Sequence, residues 1–531
     1  MNRFLADLRF EPNWLCDSEG RGAPRSGVLD GGERVVDPDD GALDGMRTGE
    51  RVRFFGQSFV WTDGHLTSRE LAPLRTEGDA DADSLADAMV SSGHKGDVFE
   101  FEDESAGPQP WHPAARAIAD KYSGELPDWV DFALVAEGQD IFTQHLPVCM
   151  TWLYYGSLVG GFSFPRITKV LLSTGYLCGS PDKVMTRLMD TFRMILLCMQ
   201  PGGMAPRNEG WKAAMRVRML HARVRVMLRG RKYWNEEEWG VPINQEDLCA
   251  TLLGFSLSTL KGMELMRAWP LTTRQREAYM HLWRFIGWVM GISDEHNPCS
   301  SYARSVLFSQ SFALHQLQPN DDSAKVSGHL LGFMGPKMAL YRAQFSRRLL
   351  GAELADSLSI GSGNGVYSWR TLIHLWMIRT YTWASCVPLA STVMIQLHRL
   401  FIRRVLGHIS VTEHAVSESP LEKGFSKVAD LAHDQNLVPV FHKVQIPSSS
   451  PPLPPSSSSP LLSPDIPVPQ TQSLHLNPIL TPRSKSPAAQ DASRRLSWTL
   501  KSPSGSPLAA VKESTSECPM KGLADPSPVG H

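Results

Sequence analysis

A single histidine lies within a run of arginines and apolar residues in the stretch RVRMLHARVRVMLRGRK, at residues 216–232. On an α-helix, which advances about 100° per residue, His221 belongs to an apolar stripe. The other members of this stripe are Val217, Val224 and Leu228. A neutral imidazole in such a place can act as a metal ligand. An ordinary core histidine without any ligand fits the same spacing.

The arginines of this stretch divide into two sets around the helix. Arg218 and Arg225 fall about 40–60° to one side of the histidine. Arg216 and Arg223 point nearly the opposite way, toward solvent. A helix that binds nucleic acid would instead cluster its basic side chains on one exposed face. The formal net charge of the 531 residues is only -2, so no overall field attracts a polyanion and no nucleic-acid partner is expected.

A flat apolar cofactor with acidic edges fits this arrangement. Haem iron accepts a neutral imidazole nitrogen as axial ligand, the macrocycle needs an apolar slot, and the propionates pair with guanidinium groups. His221 would then bind the iron of haem b, with Arg218 and Arg225 beside the propionates. A zinc site is less compatible with the sequence, because no second histidine or carboxylate follows at ligand spacing on this helix.

The elements that must position these residues are predicted to be helices. Between residues 111 and 415, apolar residues recur at spacings of three and four, and breaks such as QPGGMAPRNEG contain Pro and Gly. No alternating strand pattern of comparable length occurs there. We predict an all-α fold with a single large helical haem-binding domain, globin-like in character, over residues 111–415.

The two ends of the chain differ from this domain in composition. Residues 1–110 are rich in Gly, Asp and Pro and predict a partly irregular extension, with a strand or two near RVRFFGQSFVW. Residues 416–446 form a predicted linker. Residues 447–531 are dominated by Pro and Ser, which bury too little apolar surface to offset the entropy of ordering, so a disordered tail is expected.

An intracellular location is indicated by the cysteines and by the start of the chain. The eight cysteines form no CxxC pair and several lie in apolar helical patterns, which favours reduced core thiols. The start, MNRFLADLRFEPNWL, is not a secretory signal. The uncharged stretches 146–164 and 381–397 favour core helices, with peripheral membrane attachment as the alternative. We expect a cytoplasmic or ER-membrane-associated protein.

Three blocks carry a family resemblance. WKAAMRVRMLHARVR is followed by VPINQEDLCATLLGFS and then by YMHLWRFIGWVMGISDEHNPC. In order and separation they resemble the family of ER-bound oxygenases and rubber oxygenases, over about residues 115–400. The resemblance implies a haem-dependent oxygenase with His221 as the proximal ligand of the iron and with Arg218 and Arg225 as its flanking arginines. It also implies dioxygen and an apolar isoprenoid or lipid-like chain as the reactants, with oxidation or cleavage of a double bond.

The same resemblance assigns a distal-side helix. The arginine and threonine of the family fall on Arg187 and Thr191, four residues apart on one helix face. An ordinary ion pair for the arginine and a hydroxyl bonded to its own backbone for the threonine are the alternatives. The rubber-cleaving members have a lysine where this chain has Asp190, and no glutamate occurs in LVGGFSFPRITKVLLSTGYL. Rubber is therefore not the expected substrate, and Asp190 is the candidate for proton transfer.

Two other motifs predict local structure. INQED, at residues 243–247, predicts a helix start that is capped by Asn244. His281 and Arg284, in YMHLWRFIGW, are expected to pack behind the cofactor in a structural role. Two functions remain as alternatives to the oxygenase: a non-catalytic haem-binding or sensor protein, and a cofactor-free helical protein that associates with membranes.

Overall fold

A small sheet and an extensive set of helices make up the computed structural model of this chain. It describes residues 33–35 and 45–409, except 104, 106, 176–179, 232, 268 and 362–365. The predicted linker at 416–446 and the predicted disordered tail at 447–531 lie outside the described residues.

The sheet contains the strands that the sequence predicts near residue 55. Strand β1, Glu33–Val35, pairs in parallel with β2, Arg51–Phe54, and β2 pairs antiparallel with β3, Gln57–Val60. The β2–β3 turn has positive φ at both central positions, 46° at Phe55 and 73° at Gly56. That is the geometry of a type I′ hairpin, whose twist matches that of the strands.

The rest of the described residues confirm the all-α prediction. The N-terminal half contains α1 Ser68–Leu71, α2 Ala80–Ser91, α3 His112–Ser123, α4 Phe132–Gln144, α5 Leu146–Trp152, α6 Val159–Gly161, α7 Pro165–Thr174, α8 Pro181–Cys198 and α9 Glu209–Arg229. The C-terminal half contains α10 Glu236–Trp239, α11 Gln245–Phe255, α12 Leu257–Met266, α13 Thr273–Val289, α14 Tyr302–Gln316, α15 Asp321–Gly332, α16 Pro336–Leu350, α17 Ala352–Ser357, α18 Val366–Ser385 and α19 Pro388–Ile409. A π-helical turn, Leu153–Leu158, joins α5 to α6.

Local capping chemistry sets several helix starts. The Asn244 side chain accepts a hydrogen bond from the backbone N–H of Asp247 at 2.9 Å, which confirms the predicted cap of α11. Thr272 and Gln275 form a capping box at the start of α13. Each satisfies backbone N–H groups that have no partner inside the helix.

The predicted N-terminal extension contributes directly to the main core. Leu85 and Met89 of α2, and Phe99 in the following segment, are buried in one apolar cluster with Trp211 of α9 and Trp283 of α13. Helix α2 packs along α9. The described part of residues 1–110 is therefore not loosely attached, because its apolar side chains complete the interior that surrounds α9.

The two uncharged stretches have different surroundings. Residues 146–164 lie in the core, as predicted, with Cys149 and Val159 fully buried. The core prediction for residues 381–397 is wrong for the outer side of α19, where Leu389 is 81% and Leu397 is 54% exposed. Local periodicity identifies an apolar face, and it does not reveal whether another element covers that face.

The described cysteines agree with the expectation of unpaired thiols. Those at positions 149, 198, 249 and 299 are free and buried, and Cys386 is free and partly buried. Burial raises the pKa of the Cys198 thiol to about 12, so this group stays protonated and unreactive.

Candidate functional site

His221 lies on α9 with its imidazole enclosed by the helix packing. Its Nδ1 atom is buried and has no hydrogen-bond partner among the described residues. Burial and, to a smaller extent, the positive charge of Arg225 lower the pKa of His221 to about 4. The ring is therefore neutral at pH 7, which is the form that binds a metal through a nitrogen lone pair.

The surroundings of this imidazole are apolar on one side. Val224 and Leu228 are buried against Val170 of α7, so the predicted apolar stripe packs as a helix core. His221 itself keeps some accessible surface, as does Val217 one turn earlier. The imidazole therefore lies in a largely buried position that keeps partial accessibility.

Arg218 and Arg225 both point toward α2, and both are bound there by carboxylates. Arg218 is 1% exposed and pairs with Asp79 through two hydrogen bonds of 2.7 and 2.8 Å. Arg225 is fully buried, and its Nε donates to Asp83 at 2.6 Å. The sequence did not indicate these partners, because Asp79 and Asp83 lie in the segment that was assigned to the extension.

These contacts leave little of the two guanidinium groups for a cofactor. Arg218 also donates to the hydroxyl of Tyr122 at 2.8 Å, and Arg225 donates to the carbonyl of Ile243 at 3.1 Å. The Nη2 atom of Arg225 is buried without a hydrogen bond, 3.8 Å from a carboxylate oxygen of Asp79. That Arg218 and Arg225 bind the propionates stays a prediction. Within these two guanidinium groups, Nη2 of Arg225 is the buried donor without a hydrogen bond among the described residues.

The predicted distal residues lie on α8, the antiparallel neighbour of α9. The Sγ atom of Cys198 approaches the carbonyl of Gly210 at 3.4 Å where the two helices meet. Arg187 precedes Cys198 by eleven residues and His221 follows Gly210 by eleven. At 1.5 Å per residue each lies about 16 Å from that end, so the two are at about the same height along the pair of helices.

Each distal residue makes a contact within α8 itself. The hydroxyl of Thr191 donates to the carbonyl of Arg187 at 3.1 Å, and Arg187 lies 3.7 Å from the carboxylate of Asp190. The side chain of Asp190 is 48% exposed. Burial nevertheless raises the pKa of Asp190, against the opposing charges of Arg187 and Arg193.

Sequence reasoning missed a buried polar cluster at the start of α11. Glu246 accepts hydrogen bonds from Arg75 and His315, each at 2.8 Å, and from Gln316 at 3.1 Å. Burial would raise the pKa of Glu246, but the hydrogen bond from His315 and the charge of Arg75 lower it overall. The only signal in the sequence was a pair of adjacent acids at a helix start, which is also a common capping pattern.

Asp247, next in the chain, has the opposite electrostatic character. Burial and, to a smaller extent, the negative charge of Glu246 raise the pKa of Asp247 to about 7. The side chain therefore changes its protonation state near neutral pH, whereas the sequence of INQED indicated only a capped helix start.

His281 and Arg284 have structural contacts. The Nε2 atom of His281 accepts a hydrogen bond from the backbone N–H of Asp131 at the start of α4, at 3.0 Å. Arg284 forms a bidentate ion pair with Asp294 and lies 3.8 Å above the ring of Trp129. No group of three or more His, Cys, Asp or Glu side chains among the described residues could hold a bare metal ion.

Comparisons with known proteins give one family. The family model described as "ER-bound oxygenase mpaB/B'/Rubber oxygenase, catalytic domain" matches residues 150–383. A rubber oxygenase of Streptomyces sp. (strain K30) is 27% identical over 249 residues, which are 45% of this chain and 59% of that protein. A solved structure of latex clearing protein LCP in the closed state matches 62% of this chain and 91% of its own, at 20% identity and a TM-score of 0.47.

The buried ion pairs of α9 predict a large difference between two arginines on the same helix. Arg218→Ala leaves the carboxylate of Asp79 buried without its partner, so it should lower the free energy of unfolding by about 3–5 kcal/mol. The control is Arg216→Ala, whose side chain is 41% exposed and pairs with Asp97, and which should cost at most about 1 kcal/mol. Urea unfolding of the cofactor-free chain measures both, and equal losses would contradict a stabilising role for Arg218.

The raised pKa of Asp247 predicts that this side chain makes a pH-dependent contribution to the free energy of unfolding. Its pKa of about 7 in the folded chain lies above the ordinary 3.8, so the unfolded chain releases this proton first. The free energy of unfolding should fall as the pH rises from about 4 to 7, by an amount on the order of a few kcal/mol, and level off above that range.

Asp247→Asn should remove this part of the pH dependence, as urea unfolding at several pH values would measure. Asp321→Asn is the matched control, because it lies in the first turn of α15 behind another capping asparagine, Asn320, but is exposed. If both variants keep the wild-type pH dependence, Asp247 does not titrate in this range.

Proposed function

Since residues 150–383 make this chain a member of the ER-bound oxygenase mpaB/B'/rubber oxygenase catalytic-domain family, we propose that the protein is an oxygenase that holds haem b on His221. Membership confirms the resemblance that three ordered blocks of the sequence indicate. The chain spans 59% of the length of the rubber oxygenase that it matches, so activity, cofactor and substrate are all parts of the proposal.

The imidazole of His221 is the observation that supports this function best. It combines a pKa of about 4, a buried Nδ1 without a hydrogen bond, and a side chain that is still partly accessible. An ordinary core histidine would be expected to bond both of its nitrogens, because an unpaired buried polar atom costs free energy. A ligand that uses this side chain accounts for the arrangement.

The residues around this histidine have separate parts in the proposed reaction. When bound, haem supplies the reaction of dioxygen with a carbon–carbon double bond, which gives two carbonyl products. Val217, which is partly accessible one turn before His221, offers apolar surface to the proposed cofactor and substrate, while Val224 packs in the core behind it. The Nη2 atom of Arg225 is the available donor for an acidic group of the cofactor.

Asp190 is the proposed proton carrier on the distal helix. Its raised pKa brings the carboxyl group closer to neutral pH, where a general base works best. Arg187 contacts this carboxylate and orients it. An acid at this position, in place of the lysine of the rubber-cleaving members, supports a smaller isoprenoid or lipid-like substrate rather than rubber.

The ligand assignment predicts an absorption spectrum. Protein purified after expression with added haem should have a Soret band, and His221→Ala should lose it. His281→Ala should keep the band, because that histidine accepts a hydrogen bond from Asp131 and has only a structural contact. Circular dichroism should verify that both variants are folded.

A folded, haem-supplied preparation without colour contradicts the proposal and favours a cofactor-free interaction protein. A Soret band without oxygen uptake on any isoprenoid or lipid-like chain favours a haem-binding sensor instead. Retention of the band in His221→Ala would move the ligand to another residue.

Asp190 predicts a change in the pH profile of oxygen uptake. A base acts only when ionised, so the rate should rise as the pH increases through the raised pKa of Asp190. Asp190→Asn should lower kcat by about 10²–10⁴ and remove this rise. Asp182→Asn, exposed on the first turn of the same helix, is the control. An unchanged profile in Asp190→Asn would exclude Asp190 as the base.

A further inference from the structure

Helices α18 and α19 carry a concentrated apolar surface. The two are bent by 114° at the break between Ser385 and Pro388. Of the nineteen exposed large apolar side chains found among the described residues, ten lie on this pair and an eleventh, Val387, lies in the break between the two helices. We call this surface the outer face; it consists of Trp369, Ile373, Trp376, Met377, Trp383, Val387, Leu389, Val393, Leu397, Leu400 and Phe401. Such a large apolar patch indicates an interaction site.

The spacing of these residues makes the outer face continuous along each helix. Trp369, Trp376 and Trp383 follow one another at intervals of seven residues, which is two helical turns. Leu389, Val393, Leu397 and Leu400 follow a three- and four-residue spacing along α19. Tryptophan is enriched where proteins meet the headgroup region of a membrane, because its ring is both apolar and polar.

The charge of this pair is uniformly positive. Residues 366–409 contain five arginines and neither Asp nor Glu, although the whole chain has a formal net charge of -2. Arg403 and Arg404 are exposed near the end of α19. Apolar side chains flanked by basic ones are the pattern of a helix that lies in the interface of an anionic membrane.

The inner side of the pair is fixed to the body of the protein. His398 donates from Nδ1 to the carbonyl of Thr143 at 2.7 Å and accepts from the hydroxyl of Tyr381 at 2.7 Å. Gln144 donates to the carbonyl of Ser385 at 2.7 Å. No single described helix is long and apolar enough to cross a membrane, whereas this bent pair taken together meets the length and composition of a broken span. These bonds hold the pair against α4, so it would lie on a bilayer rather than pass through it.

We propose that the outer face of α18 and α19 docks the protein onto the surface of an anionic lipid bilayer. The two apolar helices insert into the headgroup region and the arginines contact lipid phosphates and carboxylates. A second copy of this chain fits less well, because it would bring ten arginines together, and the described ion pairs of these helices supply one acid per copy, Asp140 of α4 beside Arg399. This docking does not depend on haem or on the oxygenase activity.

The test is sedimentation of the full-length protein with phosphatidylcholine vesicles that either contain or lack phosphatidylserine. Wild-type protein should pellet with the anionic vesicles and be released by salt. Arg403→Gln combined with Arg404→Gln should weaken this binding by roughly five-fold for each arginine removed. Trp376→Ser combined with Leu397→Ser should abolish pelleting, since it removes side chains that would enter the bilayer.

Trp269→Ser is the matched control, because Trp269 is 59% exposed but lies outside the outer face, and it should pellet like wild type. Circular dichroism of each variant verifies the fold. Failure of the wild type to pellet with either vesicle, or equal pelleting of all variants, overturns the proposal. Dimerisation that Trp376→Ser with Leu397→Ser abolishes, in protein that does not bind vesicles, assigns the face to a second copy instead.

Discussion

The buried pairing of two arginines on α9 with two aspartates of the α2 segment determines how the centre of this protein is built. Arg218 and Arg225 are almost completely buried, and a guanidinium group cannot remain charged in an apolar interior without an opposite charge and hydrogen bonds. Asp79 and Asp83 supply both. The N-terminal segment is therefore part of the domain, because its removal would leave two unpaired charges in the core.

This pairing also fixes the orientation of α9 about its own axis. With the arginines held toward α2, the stripe that contains Val224 and Leu228 must face α7, and His221 lies between the two sides. The positive charge of Arg225 lowers the pKa of His221 beyond the effect of burial. One side chain thus helps to dock α2 and helps to keep the imidazole neutral, which is the state that the proposed cofactor requires.

Basic and acidic side chains are distributed differently in the interior and on helices α18 and α19. Several buried arginines are matched by carboxylates, as in the pair of Arg218 with Asp79. On α18 and α19, five arginines accompany an exposed apolar face and no acid occurs in residues 366–409. If both proposals hold, a protein that acts on an apolar chain would also rest on the lipid phase in which such chains dissolve. The two functions occupy different surfaces, so each can be lost without the other.

The sequence by itself determined the local features. The helices of residues 111–415, the hairpin near residue 55, the cap at Asn244 and the apolar stripe around His221 follow from the conformational preferences of neighbouring residues, which act within a few positions. The order of the three sequence blocks was also sufficient to recognise the resemblance to the family. Helix geometry placed Arg218 and Arg225 beside the histidine, but it did not determine which groups these arginines bind.

Tertiary structure decided everything that depends on distant partners. Arg218 and Asp79 are 139 residues apart in the chain, and Arg225 and Asp83 are 142 apart, so no local pattern connects them. The pKa of Asp247 depends on burial and on the charge of Glu246, which packing alone creates. Whether residues 381–397 are covered was equally undetermined, because an apolar helix face has the same periodicity in a core as on a surface. Local preferences are encoded by neighbours, whereas burial and charge pairing arise only when the chain has folded.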